Sequence, residues 1–119
     1  MLLSHVDLRV RDRAKAAEFY DALLAPLGAV KEVGATFTTW QIGEDDEWLG
    51  ITEDRQMTPN VNRIALRAPS RGTIDAIATY LATIGAGEIE MPHEAYGPEY
   101  YACFFTDPDG NRLEICALG

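Results

Sequence analysis

The sequence has no hydrophobic run long enough to cross a bilayer, and it is poor in cysteine and in basic residues. Its 119 residues include 2 cysteines and 10 Lys or Arg against 19 Asp or Glu, which gives a net charge of −9. The N-terminal segment lacks the basic start and cleavage pattern of a secretion signal. We therefore expect a cytoplasmic protein that binds neither membranes nor the phosphate backbone of nucleic acids.

Several chemical motifs are also missing. Cys103 and Cys116 each lie in an apolar, strand-like run and lack the spacing of a zinc site, so we expect plain buried thiols. No glycine-rich phosphate loop and no serine nucleophile motif is present. The acidic run GEDDE (43–47) lacks the ligand pattern of a calcium-binding loop, and we interpret it as the charged tip of a hairpin.

The sequence repeats one order of elements. LSHVDLRV (3–10) and NRIALRA (62–68) both alternate apolar and polar residues, which is typical of a half-buried strand. An amphipathic segment follows each of them, at 11–29 and at 70–86, with apolar residues at helical spacing. Two further strands are predicted after each helix, at 35–43, 47–52, about 101–106 and about 112–117, and a third strand in each half stays open.

An internal repeat of this kind predicts two similar modules, at about 1–56 and 57–119, within a single domain. Asp12 and Ser70 are the expected N-caps of the two helices. The pattern predicts an α+β fold in which the helices cover the outside of a curved sheet.

A carboxylate interrupts the last apolar strand. Glu114 stands between Leu113 and Ile115, and alternation places it on the face turned away from the helices. The same rule places His5 and Arg63, on the first strand of each half, on that face. A buried charge is costly unless it is solvated, paired or bound, so we expect Glu114 to line a cavity. An ion pair with Arg63 is one way to neutralise it.

These segments resemble the vicinal-oxygen-chelate superfamily, which includes glyoxalase I, bleomycin-resistance proteins, fosfomycin-resistance enzymes and extradiol dioxygenases. The resemblance rests on YYACFFTDPDGNRLEI (100–115), on SHVDLRV near the start and on the helix ending FYDALLAPLGA (19–29), and it covers essentially the whole chain. It implies two βαβββ modules that form a cupped mixed sheet, with the helices on the outer face and a small-molecule ligand in the cup. It also implies a homodimer.

The resemblance implies ligand positions for a divalent metal on the first and fourth strands of each module. Aligning the two halves carries these positions onto His5, Gly50, Arg63 and Glu114. Only His5 and Glu114 can ligate Ni²⁺, Zn²⁺, Mn²⁺ or Fe²⁺, whereas Arg63 carries a permanent positive charge. A catalytic ion generally has about three protein ligands, so this set is incomplete. The two histidines and one carboxylate of an extradiol dioxygenase cannot be assembled from it.

Four more residues are candidate ligand contacts. His93 lies in EMPHEAYGPEYY (90–101), which we interpret as a loop, and it is either a general base or an exposed loop histidine. Tyr96, Tyr100 and Tyr101 match an aromatic segment that rims the pocket of the resembling proteins. Each of the three either contacts a ligand or packs in the interior.

Three functions stay open. The first is a protein that binds a small polar or anionic organic molecule without a tightly bound catalytic metal, with Arg63 as the anchor for a carboxylate or phosphonate. The second is a metal-dependent lyase or isomerase resembling lactoylglutathione lyase, with His5 and Glu114 as ligands and Glu114 as the catalytic proton carrier. The third is a superfamily member whose pocket is vestigial and whose role is dimerisation.

Overall fold

The computed structural model describes residues 3–43 and 46–119. The predicted hairpin tip GEDDE (43–47) contains Glu44 and Asp45, which lie outside the described residues. None of the helices in these two ranges has the length and apolar character that crossing a bilayer requires.

The chain divides into two compact units, Met1–Thr58 and Pro59–Gly119. Each unit contains a mixed four-stranded sheet and one α-helix, which confirms the predicted α+β class with two βαβββ modules. In chain order the first unit consists of β1 (His5–Val10), α1 (Arg13–Leu24), the 3₁₀ turn Ala25–Leu27, β2 (Val30–Val33), β3 (Phe37–Gln41) and β4 (Trp48–Glu53). The second consists of β5 (Arg63–Arg67), α2 (Arg71–Ala78), β6 (Gly87–Glu94), β7 (Tyr100–Thr106) and β8 (Arg112–Leu118).

The first sheet has the strand order β1-β4-β3-β2, with β1 parallel to β4 and the other pairs antiparallel. A parallel pair needs a crossover connection, and α1 lies on this crossover. Asp12 caps α1 as predicted, because its carboxylate accepts a hydrogen bond from the backbone N–H of Lys15 at 3.0 Å. The helix packs on β3 and β4 through its apolar face, which buries Ala16, Ala17, Phe19, Tyr20, Leu23 and Leu24.

The second sheet repeats this plan with the order β5-β8-β7-β6 and a parallel β5–β8 pair. Ser70 caps α2 as predicted, and its hydroxyl accepts the N–H of Thr73 at 3.2 Å. The apolar side of α2 packs on β6, β7 and β8.

The second helix is shorter than predicted. It ends at Ala78, and turns follow up to Gly85. The hydroxyl of Thr79 donates to the carbonyl of Ala76 at 2.6 Å, a local bond that competes with helix continuation. Leu81 is nevertheless fully buried, so the apolar stripe that predicted a helix over 70–86 continues through the turns.

A strand lies where the sequence predicts a loop over 90–101. The strand β6 includes Pro92 and His93 and forms an edge of the second sheet. Two register shifts against β7, one on each side of Glu90, break the period-two alternation of side chains, so the sequence shows no strand pattern here. Proline is tolerated on an edge strand, where not every N–H must donate. The loop is confined to 95–99.

The strands β7 and β8 join through the turn TDPDGN (106–111). The carboxylate of Asp107 is 2% exposed and accepts the backbone N–H groups of Asp109 and Asn111, each at 2.9 Å. It also accepts the side-chain amide of Asn111 at 2.8 Å. Gly110 has a φ of 93°, a left-handed conformation that residues with a Cβ disfavour. These bonds set the register of β7 against β8.

We expect Asp107→Ala to lower the free energy of unfolding by about 3 kcal/mol, because the N–H groups of a nearly dry turn lose their acceptor. Urea denaturation followed by far-UV circular dichroism measures this change. Asp54→Ala is the matched control, since this exposed carboxylate accepts the N–H of Gln56 at 3.0 Å, and a loss of about 0.5 kcal/mol is expected. Equal losses of unfolding free energy in the two variants would contradict the role of Asp107 as the main acceptor of the turn.

Candidate functional site

The two faces of the second sheet differ in chemistry. One face packs against α2 and carries the apolar residues Leu113 and Ile115. The register of β5, β8 and β7 defines the other, which we call the Glu114 face. It is formed by Arg63, Ala65 and Arg67 of β5, by Arg112, Glu114 and Cys116 of β8, and by Tyr100, Ala102 and Phe104 of β7.

Glu114 is 4% exposed, and its carboxylate accepts a hydrogen bond from the phenolic O–H of Tyr100. Burial, together with the neighbouring Glu114 and Cys116 side chains, raises the pKa of Tyr100 well above its usual range. The phenol therefore stays protonated at neutral pH and is the donor of this bond. The prediction that Glu114 points away from Leu113 and Ile115 is confirmed by the register. That it lines a cavity stays a prediction.

Arg63 lies over the ring of Phe104, with its guanidinium carbon 4.6 Å from the ring centroid. A cation in this position gains about 0.5–2 kcal/mol. In the described part of the chain Arg63 forms no ion pair with Glu114, so the pair considered from the sequence is not made. The carboxylate of Glu114 instead accepts the hydroxyl of Tyr100.

Phe104 is the centre of the Glu114 face, and sequence reasoning missed it. Its ring lies 5.9 Å from that of His93 and 6.3 Å from that of Tyr96. Tyr96 also packs edge-on against Tyr100 at 5.0 Å. The register that pairs Phe104 with Glu114 is the signal that could have found it, by counting outward from the turn. The structure thus brings together Arg63, His93, Tyr96, Tyr100 and Glu114.

His93 is held by its neighbours in β6. Its Nδ1 lies 2.9 Å from the carbonyl oxygen of Met91, which can only accept, so Nδ1 carries the proton. Its Nε2 lies 3.3 Å from the carboxylate of Glu90. The nitrogen that would take a proton from a substrate therefore faces an anion. This contact counts against the general base, and His93 lies in β6 rather than in the loop of the other alternative.

Tyr101 lies on the helix side of the sheet and does not join this group. Its hydroxyl donates to Asp75 of α2 at 2.5 Å, and the guanidinium of Arg71 lies 4.8 Å above its ring. The hydrogen bond to Asp75, followed by burial, raises the pKa of Tyr101. These contacts join α2 to the sheet and favour packing over ligand contact, the two alternatives stated for Tyr101.

The two cysteines are free and buried. Cys116 lies on the Glu114 face, paired in register with Ala102, whereas Cys103 lies on the helix side. The thiol of Cys103 donates to the carbonyl of Glu90 at 3.3 Å, and burial raises its pKa to about 11. The expectation of plain buried thiols is confirmed.

The other candidate metal positions lie in the first unit. His5 is exposed, and its ring stacks flat on that of Trp48, with centroids 3.9 Å apart and planes 1° from parallel. Trp48 also covers Gly50, where an added Cβ would meet a ring carbon at 2.8 Å. A ligating side chain at position 50 would therefore displace the indole. The second tryptophan, Trp40, is buried and donates to Asp21 at 3.0 Å.

The donor set does not fit a catalytic divalent ion. Of the four positions, Gly50 is covered by an indole and Arg63 is a cation, which leaves His5 and Glu114. Within residues 3–43 and 46–119, no three His, Cys, Asp or Glu side chains lie close enough together to hold a metal ion.

The profile of the Glyoxalase/Bleomycin resistance protein/Dioxygenase superfamily matches residues 2–115. The chain belongs to this superfamily. Its members bind small molecules, and they often use divalent metals or form oligomers. The crystal structure of a glyoxalase/bleomycin resistance protein from Albidiferax ferrireducens T118 is 25% identical, covers 100% of both chains and superposes with a TM-score of 0.86. The resemblance drawn from the sequence is confirmed.

Two more solved structures share the fold at lower identity. Fosfomycin resistance protein FosX from Mesorhizobium loti is 20% identical, with 98% of this chain and 92% of that chain covered and a TM-score of 0.73. A glyoxalase/bleomycin resistance protein/dioxygenase family enzyme from Burkholderia phytofirmans PsJN is 17% identical, with 98% of each chain covered and a TM-score of 0.76. No curated protein matches the chain. The superfamily carries many activities on one scaffold, so the site must decide the function.

We expect protein purified without a histidine tag to contain far less than one equivalent of Ni, Zn, Mn or Fe, because the donor set is incomplete. Elemental analysis by mass spectrometry measures this content. Titration with Ni²⁺ or Mn²⁺ is expected to leave the melting temperature of wild type and of Glu114→Gln equally unchanged. One equivalent of metal in the wild type that Glu114→Gln loses would show that the ligand count is wrong.

We expect the stability of the wild type to fall more steeply than that of Tyr100→Phe above about pH 10, where an ordinary tyrosine ionises. The folded protein keeps the phenol of Tyr100 protonated while the unfolded chain loses that proton, so rising pH favours unfolding. The difference in slope approaches about 1.4 kcal/mol per pH unit. Urea denaturation of both proteins across this pH range measures the difference in slope. Free energies of unfolding that fall in parallel with pH would contradict the raised pKa of Tyr100.

Proposed function

We propose that this protein binds a small polar or anionic organic molecule on the Glu114 face, without a tightly bound catalytic metal. The observation that carries the proposal is the guanidinium of Arg63. It lies over Phe104 without an acidic partner in the described part of the chain, while the buried carboxylate of the same face accepts the hydroxyl of Tyr100. The proposal includes a cytoplasmic homodimer whose two modules, about 1–56 and 57–119, form a single domain.

The chain has 19 acidic and 10 basic residues, so carboxylates that could pair with an arginine are plentiful. Arg9, Lys31, Arg55 and Arg71 each lie within 4.0 Å of a carboxylate. A guanidinium presents several N–H donors in one plane and binds a carboxylate or phosphonate through paired hydrogen bonds. The charge of Arg63 therefore supports its role as the anchor of an anionic group.

Aromatic side chains next to Arg63 supply a wall for the body of the ligand. Tyr96 is 69% exposed although its ring packs against Tyr100 and Phe104. His93 flanks Phe104 from β6. An exposed tyrosine at the edge of an aromatic cluster offers both apolar surface and a hydroxyl, as ligand sites commonly require.

The alternative of a metal-dependent lyase or isomerase has less support. It needs His5 and Glu114 as ligands and at least one more donor, whereas the hydroxyl of Tyr100 is bonded to Glu114 and the ring of Trp48 is stacked on His5. A vestigial site would not require a cation to stand unpaired on an aromatic ring. The binding function therefore accounts for more of the observed contacts.

Isothermal titration calorimetry with benzoate and phenylphosphonate tests the proposal, because both probes combine an anionic group with a flat apolar body. We expect at least one to bind the wild type, and Arg63→Gln to weaken that binding by about tenfold or more through the loss of charge-assisted hydrogen bonds.

Arg55→Gln is the control for net charge. Arg55 is exposed in the first unit and lies 3.6 Å from Glu53, so its loss removes the same charge away from the site. We expect wild-type binding in this variant. Binding that survives Arg63→Gln, or the failure of both probes to bind the wild type, would overturn the proposal.

A further inference from the structure

Arg63 is one of three arginines on the Glu114 face. In the register of the parallel β5–β8 pair, Arg63 lies beside Arg112, and Arg67 lies beside Cys116. Within residues 3–43 and 46–119, none of the three has an acidic partner within 4.0 Å. The chain has a net charge of −9, so the question is why three arginines on one face have no carboxylate as a partner.

The three charges form two groups along the edge strand β5. Neighbouring strands lie about 4.8 Å apart, so the backbones of Arg63 and Arg112 are adjacent and we take the two residues as one group, with the guanidinium of Arg63 extending over Phe104. Arg67 is four residues further along β5, roughly 13 Å away measured along the backbone. Ala65 stands between the groups, and it is exposed and too small to fill the space above it.

The middle of this arrangement has the opposite charge. Ala65 is paired in register with Glu114, so Glu114 lies on the neighbouring strand β8 at the level between the two cationic groups. An anionic group placed there would meet the repulsion of Glu114 at short range. An uncharged group, or one that donates a hydrogen bond, would not. Along β5 the face is therefore cationic, then anionic, then cationic.

We propose that the Glu114 face takes an organic dianion of the dicarboxylate class. One carboxylate binds Arg63 and Arg112, the other binds Arg67, and the uncharged middle of the molecule lies over Ala65. A single compact anion would satisfy only one cationic group and leave the other without a partner. The inference rests on the proposed function, because Arg63 is common to both, and it adds Arg67 and Arg112 as residues that select for a second carboxylate.

The test compares diacids with monoacids of equal length by isothermal titration calorimetry on the full chain at constant ionic strength. The probes are glutarate, adipate and pimelate, their matched monoacids pentanoate, hexanoate and heptanoate, and inorganic phosphate. We expect at least one diacid to bind about tenfold or more tightly than its monoacid, as a second charge-assisted contact implies.

Variants separate the two ends of the site. Arg67→Gln is expected to reduce the affinity of the diacid to that of the monoacid and to leave the affinity of the monoacid unchanged. Arg63→Gln is expected to weaken both. Ala65→Leu fills the space between the cationic groups and is expected to weaken the diacid while the circular dichroism spectrum stays that of the wild type. Arg55→Gln controls for net charge.

The outcomes distinguish this inference from the function on which it rests. If diacids and monoacids bind equally and Arg63→Gln weakens both, the dicarboxylate inference falls and the binding function stands. Phosphate that binds as tightly as the best diacid, without dependence on Arg67, would show a site for one compact anion and overturn the inference. If no probe binds the wild type, both proposals fail.

Discussion

The hydrogen bond from Tyr100 to Glu114 is what allows the second sheet to carry a carboxylate in its interior. A charge removed from water is costly unless a strong donor reaches it, and the phenol is that donor. The carboxylate accepts the hydroxyl of Tyr100, and Arg63 lies on the ring of Phe104 rather than in an ion pair with Glu114. This bond joins β7 to β8 on the face that also carries Arg63 and Phe104.

The two units show how one order of elements supports two surface chemistries. On the fourth strand, the position of Glu114 corresponds to Gly50 in the first unit, and on the first strand Arg63 corresponds to His5. Trp48 covers Gly50 and stacks on His5, so an aromatic stack occupies the region where the second unit has a buried carboxylate and a cation. A single glycine is enough for this difference, because only its lack of a Cβ admits the indole.

Alternation of side chains predicted most strands and the two faces of the last one, and the polar residues Asp12 and Ser70 predicted both N-caps. The sequence patterns failed at two places. The register shifts of β6 break the alternation of its side chains, so no strand was predicted there. The helix α2 ends at Ala78, where the hydroxyl of Thr79 bonds to the carbonyl of Ala76, although the apolar stripe continues beyond it. The site was predicted less well. Tyr100 and Tyr101 are neighbours in sequence but face opposite sides, and only the β7–β8 register decides which of them reaches Glu114.

The irregularity of β6 also affects solubility. An edge strand presents unpaired N–H and C=O groups, which can template the addition of a strand from another copy and so start aggregation. In β6, Pro92 and two register shifts interrupt that row of groups. The edge strand of the first sheet, β2, has no such break, and its exposed Val30 and Val33 flank the charges of Lys31 and Glu32. The edge strands β6 and β2 thus resist the addition of another strand by different means. In β6 the backbone is distorted, and in β2 the side chains are charged.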